Sequence, residues 1–285
     1  MNFDIIKNDD LTKLSNLVNS TPLFKWPLNT CSIFAEHGAL NCLKYAIENG
    51  CQVDAWAFCM ACANGHTHIL KFFKEKMLYD KTGLASMYAS SNGFVDCLQF
   101  CHKNMYPISK AVAKYAAEFS QLETLKYCID NNFPIDEMVL VNCCKNFDIE
   151  CLKYAYYSEC PNSFMSLFSL LEKMNLTTTL SKEAIECLHF CINHRFPIIF
   201  ETLFLLKIVN KKHNIINFSE QLWILYLEEL VQKNFINKYL KRLFESYIED
   251  VKRLTSQTVP LPEDVKEWVL IPYIGTKLTE KKRDL

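Results

Sequence analysis

Cys42-Leu43-Lys44-Tyr45 and Cys151-Leu152-Lys153-Tyr154 are the same four-residue word written twice in one chain. Four variants of it follow the same plan: Ile69-Leu70-Lys71-Phe72, Cys97-Leu98-Gln99-Phe100, Thr124-Leu125-Lys126-Tyr127 and Cys187-Leu188-His189-Phe190. Their leucines lie 27, 28, 27, 27 and 36 residues apart. A looser first copy lies within Ile5–Val18, with Leu14 in the leucine position. Self-similarity at such a period marks stacked units, each unable to bury its apolar face alone.

Each unit parses as two helices. A helix rich in small residues comes first, as in Ala55–Ala63 and Val112–Glu118. A glycine five residues before the leucine (Gly38, Gly65, Gly93) ends it, as left-handed C-terminal caps do. The helix of the repeated word follows, with Leu43, Ala46 and Ile47 at i, i+3 and i+4. Asn-Gly, or the prolines Pro107, Pro134, Pro161 and Pro197, stop that second helix. Asp54, Ser109, Asp136 and Ser163, eleven residues past their leucines, are predicted to cap the next helix. The fold class expected is all-α, a helical-repeat solenoid of helix pairs.

Composition narrows the function classes. The 285 residues carry 31 Lys plus Arg against 32 Asp plus Glu, so the net charge of −1 lacks the general pull that phosphate-backbone binders use. Half the residues are apolar and 22% charged, which argues against disorder. Six glycines leave few parts for a phosphate cradle. Met1–Asp10 has no apolar core of signal length, and the longest apolar run, around Thr202–Leu206, is far shorter than the roughly 20 residues of a membrane span. A cytoplasmic chain is expected, with the nucleus an alternative, and neither nucleic acid nor membrane is an expected partner.

Fourteen cysteines then have to be free thiols. Most recur at fixed sites: Cys42, Cys97, Cys151 and Cys187 before the leucine, and Cys101, Cys128 and Cys191 three after it. Cys51 and Cys160 sit eight after it, and Cys62 and Cys144 stand where other units have Ala35, Ser90 and Ala117. There cysteine acts as a small apolar filler. Cys59, Cys62, His66 and His68 have zinc-ligand types, but Cys62 is a repeat position and His66 joins two helices, so packed thiols and a turn histidine are the stronger reading. No metal or cofactor is expected. Gly-x-Ser-x-Gly, Walker and His-Glu-x-x-His patterns are absent from the sequence, and a non-catalytic chain is expected.

Past residue 200 the period fades. Phe204–Val209 and Leu222–Val231 are predicted to be helices that close the stack. Leu240, Leu243, Phe244, Tyr247 and Ile248 then make one apolar helical stripe. Val259-Pro260-Leu261-Pro262 gives an extended entry to a helix whose face is Val265, Trp268 and Val269. Three parts are expected: residues 1–232 as the repeat array with its capping helices, 236–275 as a small helical module, and 276–285 as a charged tail.

The units resemble divergent ankyrin repeats in Ala-x-x-Gly-x-x-x-Cys-Leu-Lys-Tyr followed by Asn-Gly or Pro, over about residues 1–200. They are shorter than the roughly 33 residues of that family, lack its Thr-Pro-Leu-His word, and would lose the difference from the β-hairpin fingers. The C-terminal module is similar to a SOCS box over residues 238–273. Together the two parts resemble the ankyrin-repeat and SOCS-box proteins.

The resemblance implies a substrate receptor of a cullin-RING ubiquitin ligase. Leu240, Leu243, Phe244 and Ile248 hold the positions that dock on elongin C, with Phe244 where the family has cysteine. Val259, Pro260, Leu261, Pro262, Val265 and Trp268 match the positions that recruit cullin-5. The implied partners are elongin B, elongin C, cullin-5 and a target protein held by the repeats. Trp56, Tyr88, Lys114 and Tyr115 are candidate target contacts, because aromatic and cationic side chains anchor interfaces. Two alternatives stay open: the last helices simply finish the solenoid, or the repeats form a binding scaffold with no ligase role.

Overall fold

The computed structural model describes residues 3–78, 80–197 and 200–213. Among these residues there are fifteen α-helices and no β-strand. They come as pairs: α1 (Phe3–Lys7) with α2 (Leu11–Ser20), α3 (Thr30–Glu36) with α4 (Leu40–Glu48), and α5 (Ala55–Ala63) with α6 (Thr67–Glu75). Next come α7 (Leu84–Ser91) with α8 (Val95–Lys103), and α9 (Val112–Glu118) with α10 (Leu122–Asp130). Then follow α11 (Met138–Asn146) with α12 (Ile149–Tyr157), α13 (Phe164–Leu176) with α14 (Lys182–Asn193), and finally α15 (Phe200–His213).

The odd helices from α3 to α15 pack each on the next, and the even helices form a second row in which α6, α8, α10, α12 and α14 neighbour one another in order. The result is an all-α helical repeat solenoid of two layers. Small side chains explain the close odd row: Ala57, Ala61, Ala85, Ala89, Ala113 and Ala117 are buried between successive helices. The repeated leucines form the seam between the layers. Leu14, Leu43, Leu70, Leu98, Leu125 and Leu152 have no exposed surface, and Leu188 keeps 1%. Each such side chain contributes about 1.5–3 kcal/mol of burial.

The turns are as regular as the helices. Five residues before each of the first six leucines the backbone is left-handed: Asp9, Gly38, Gly65, Gly93, Ser120 and Phe147. Seven residues after the last six it is left-handed again: Gly50, Met77, Met105, Asn132, Glu159 and Arg195. Each turn closes with a pair of backbone bonds that satisfy helix-end carbonyls. At Met105 its own N–H donates to His102 O at 3.1 Å and the Tyr106 N–H donates to Cys101 O at 2.9 Å. The residue after the second turn (Leu78, Tyr106, Phe133, Phe196) donates its N–H back to the helix, and after Tyr106, Phe133 and Phe196 the next residue is proline.

Of the four predicted caps, Asp54 fits: its Oδ1 accepts from the Ala57 N–H at 2.9 Å and from Ser32 Oγ at 2.6 Å. Ser109 and Asp136 act in the preceding turn instead, accepting from the N–H groups of Ala111 and Met138. Ser163 stands at the N-cap of α13, but its hydroxyl makes no capping bond. Asp80, buried to 2%, supplies the missing cap of the α6–α7 turn by accepting from the N–H groups of Thr82 and Ala85.

The last spacing is 36 because α13 runs for 13 residues and passes into an extended Thr177 with no left-handed turn. Ser181 then caps α14 through the Ala184 N–H. The predicted helix at Phe204–Val209 falls inside α15, which packs on α13 and buries Leu206 and Val209. Leu222–Val231 and everything after residue 213 lie outside the described residues.

Candidate protein-binding surface

Register places one strip of side chains along the outer side of the odd row. Fourteen residues before their leucines stand Trp56, Leu84 and Met138; ten before stand Met60, Tyr88 and Tyr115. The two positions are one helical turn apart, so they share a face. Trp56 is 51% exposed, and the others are partly exposed. The Trp56 and Tyr88 rings meet across α5 and α7, 6.0 Å between centroids.

The four predicted target contacts therefore sit on three successive helices of the odd row: Trp56 on α5, Tyr88 on α7, Lys114 and Tyr115 on α9. Lys114 also contributes its backbone carbonyl, which accepts from Asn142 Nδ2 on α11 at 3.3 Å. Met60, Leu84 and Met138 belong to the same strip and were not singled out from the sequence. The signal for them was available, since they hold the same register as Trp56 and Tyr88.

Side chains from three units fasten each to the unit before it. His66 Nε2 meets Glu36 O at 3.0 Å, and Asn92 Nδ2 donates to Ala63 O at 2.9 Å. Asn146 Nδ2 donates to both Ala117 O and Glu118 O. These contacts satisfy carbonyls at helix C-termini that have no partner within their own helix. A surface built on such rigid helices loses little freedom when it binds.

The even row uses its repeated lysines internally. The Lys44 ammonium lies 5.7 Å from the Phe72 ring and Lys126 lies 5.8 Å from the Tyr154 ring, each reaching the aromatic residue of the next unit. Tyr154 in turn donates its hydroxyl to Asp130 at 2.6 Å.

All fourteen cysteines are free and buried. Burial pushes the Cys128 and Cys59 thiols up to about 12 and the Cys160 thiol up to about 11. Neighbouring Cys101 and Cys97, with burial, hold Cys62 well above its ordinary range. Such thiols stay protonated and make poor nucleophiles or metal ligands. Cys59 and Cys62 face the core, whereas His66 and His68 direct their Nε2 atoms to carbonyls of the preceding unit, Glu36 O and Gly38 O. Among the described residues no three His, Cys, Asp or Glu side chains gather in a way that could hold a metal ion. No helix among them is long and apolar enough to cross a membrane.

No protein-family model matches the chain, and no curated protein matches it significantly. The residues expected to contact elongin C (Leu240, Leu243, Phe244, Ile248) and cullin-5 (Val259, Pro260, Leu261, Pro262, Val265, Trp268) lie outside the described residues.

Proposed function

We propose that the chain is the substrate-recognition subunit of an elongin B/C–cullin-5 RING ubiquitin ligase acting in the cytoplasm. The solenoid holds a target protein through the Trp56–Tyr88–Tyr115 strip, and the C-terminal module carries the ligase. The chain itself performs no chemistry. It raises the effective concentration of target lysines near the loaded ubiquitin. The observation that carries this reading is Val259-Pro260-Leu261-Pro262 with Val265 and Trp268 in step behind it, eleven residues after the Leu240–Ile248 stripe and behind a helical-repeat array.

Phe244 favours a second reading, a binding scaffold without a ligase. A phenyl ring in a pocket shaped for a thiol overpacks it by about 1–3 kcal/mol, and each 1.4 kcal/mol is about tenfold in affinity.

Co-expression with elongins B and C, followed by a pull-down with cullin-5, separates the two. The ligase reading expects both elongins to co-purify, Leu240→Pro to abolish their capture, and Pro262→Ala to weaken mainly cullin-5. Elongins that neither co-purify nor improve solubility overturn it in favour of the scaffold.

A further inference from the structure

Among the described residues, the four most exposed large apolar side chains are Leu28 at 95%, Leu23 at 94%, Met105 at 93% and Met77 at 86%. All four lie on connections from an even helix to the next odd helix. In a stack of antiparallel pairs these connections share one edge. Neighbouring turns on that edge touch: Trp26 Nε1 donates to Asn49 O at 2.9 Å, and Lys74 Nζ donates to Asn104 Oδ1.

Met77 and Met105 occupy the left-handed turn position that sibling units give to Gly50 and Asn132. A side chain there projects from the tip, away from the helix it ends. Exposed lysines accompany the knobs: Lys25 between the two leucines, Lys76 next to Met77 with its ammonium 5.8 Å from the Phe72 ring, and Lys103 two residues before Met105. The turns also hold Glu48 and Glu75, while the Asp54 and Asp80 carboxylates are turned inward onto backbone N–H groups. Further along, the same edge carries Asp136, Glu137 and Glu159 before Arg195 at the turn after α14. With Lys81 and Lys110 on the same connections, five lysines face Glu48 and Glu75 on the first half of the edge, a local excess that the net charge of −1 conceals.

We propose that the first half of this edge docks on an anionic membrane surface, with Leu23, Leu28, Met77 and Met105 entering the interface and the lysines meeting lipid phosphates. The knobs stand on three connections, Leu23 and Leu28 on the first, Met77 two units further and Met105 one unit beyond that. A protein partner would need a matching pocket for each, whereas a lipid surface accepts every knob independently. Basic side chains beside apolar ones are what an anionic interface rewards.

The test is co-sedimentation of the full chain with vesicles of phosphatidylcholine and phosphatidylserine, against vesicles of phosphatidylcholine alone. Preferential binding to the anionic vesicles that falls with added salt is expected. The pair Met77→Asn and Met105→Asn, combined with Leu23→Ser and Leu28→Ser, should lower the partition by roughly tenfold or more. These side chains pack on nothing, and asparagine accepts the left-handed backbone, so the thermal midpoint should not fall. Unchanged partition of the variant overturns the proposal. So does equal binding to both vesicle types. No binding to either overturns it as well and leaves the edge to a protein partner.

Discussion

Gly65 lies directly beneath Phe94 of the following unit: a Cβ placed on the glycine would come 2.6 Å from the phenyl ring. The pairing recurs one unit later, where a Cβ on Gly93 would strike the Gln121 side chain. At the three glycine turns, Gly38, Gly65 and Gly93, the residue after the next turn (His66, Phe94, Gln121) thus roofs the turn of the unit before, and that roof fits because the glycine has no side chain.

Gly65→Ala is therefore expected to be much worse than Gly50→Ala. Both place a Cβ on a left-handed backbone, which costs about 1–2 kcal/mol. Only Gly65→Ala must also displace a packed ring, at about 1–3 kcal/mol more, because nothing lies within 4 Å of a Cβ at Gly50. Urea denaturation of the two variants checks the difference, and equal losses would refute the roof.

The opposite change should stabilise. Met105 is a side chain in left-handed backbone with 93% of its surface in water. Met105→Gly relieves that strain and loses no packing, so a gain of about 0.5–1 kcal/mol is expected after the greater freedom of glycine in the unfolded chain is allowed for. A lower urea midpoint in the variant would count against it.

Alkali should weaken the fold. Cys42, Cys128 and Cys187 are raised by burial from an ordinary value of 9.0 to about 12. The folded state holds these protons more tightly than the unfolded one. Their contribution is whole below pH 9 and is lost as pH rises from about 9 towards 12. Urea midpoints taken under reductant across that range should fall steadily, and a flat profile would show that the thiols are not shielded.

Trp56→Ala should separate binding from stability. Half of the indole is in solvent and its described ring partner is Tyr88, so a small change in midpoint is expected. Target affinity should fall roughly tenfold or more if the indole is an interface anchor. Target capture that survives both Trp56→Ala and Tyr115→Ala would move the binding surface elsewhere.

The repeat was readable because burial repeats. The leucine of every unit is at or near full burial, and Ala55–Ala63 and Val112–Glu118 have the bounds that their small-residue pattern predicts. The glycine turns were readable for the same reason that makes Gly65 irreplaceable. Asp9, Ser120 and Phe147 adopt the same turn without glycine; aspartate tolerates that backbone, but nothing in serine or phenylalanine announces it. Met77 and Met105 were equally silent, since the second turn is dictated by backbone bonds and by the apolar residue that follows. Caps were half legible: an Asp or Ser near a helix start can serve the preceding turn instead, as Ser109 and Asp136 do. Of the candidate site, the aromatic strip on α5, α7 and α9 could be read residue by residue, but its continuity across units needed the stacking of the helices.

Fourteen sulfhydryls shut away from solvent make the chain safe only while it stays folded. Once opened in air, it becomes a polythiol whose mispaired crosslinks outnumber any useful arrangement, and exchange among them locks the errors in. Heating without reductant would then be a one-way process whose midpoint moves with scan rate, so what it reports is a lifetime and not an equilibrium.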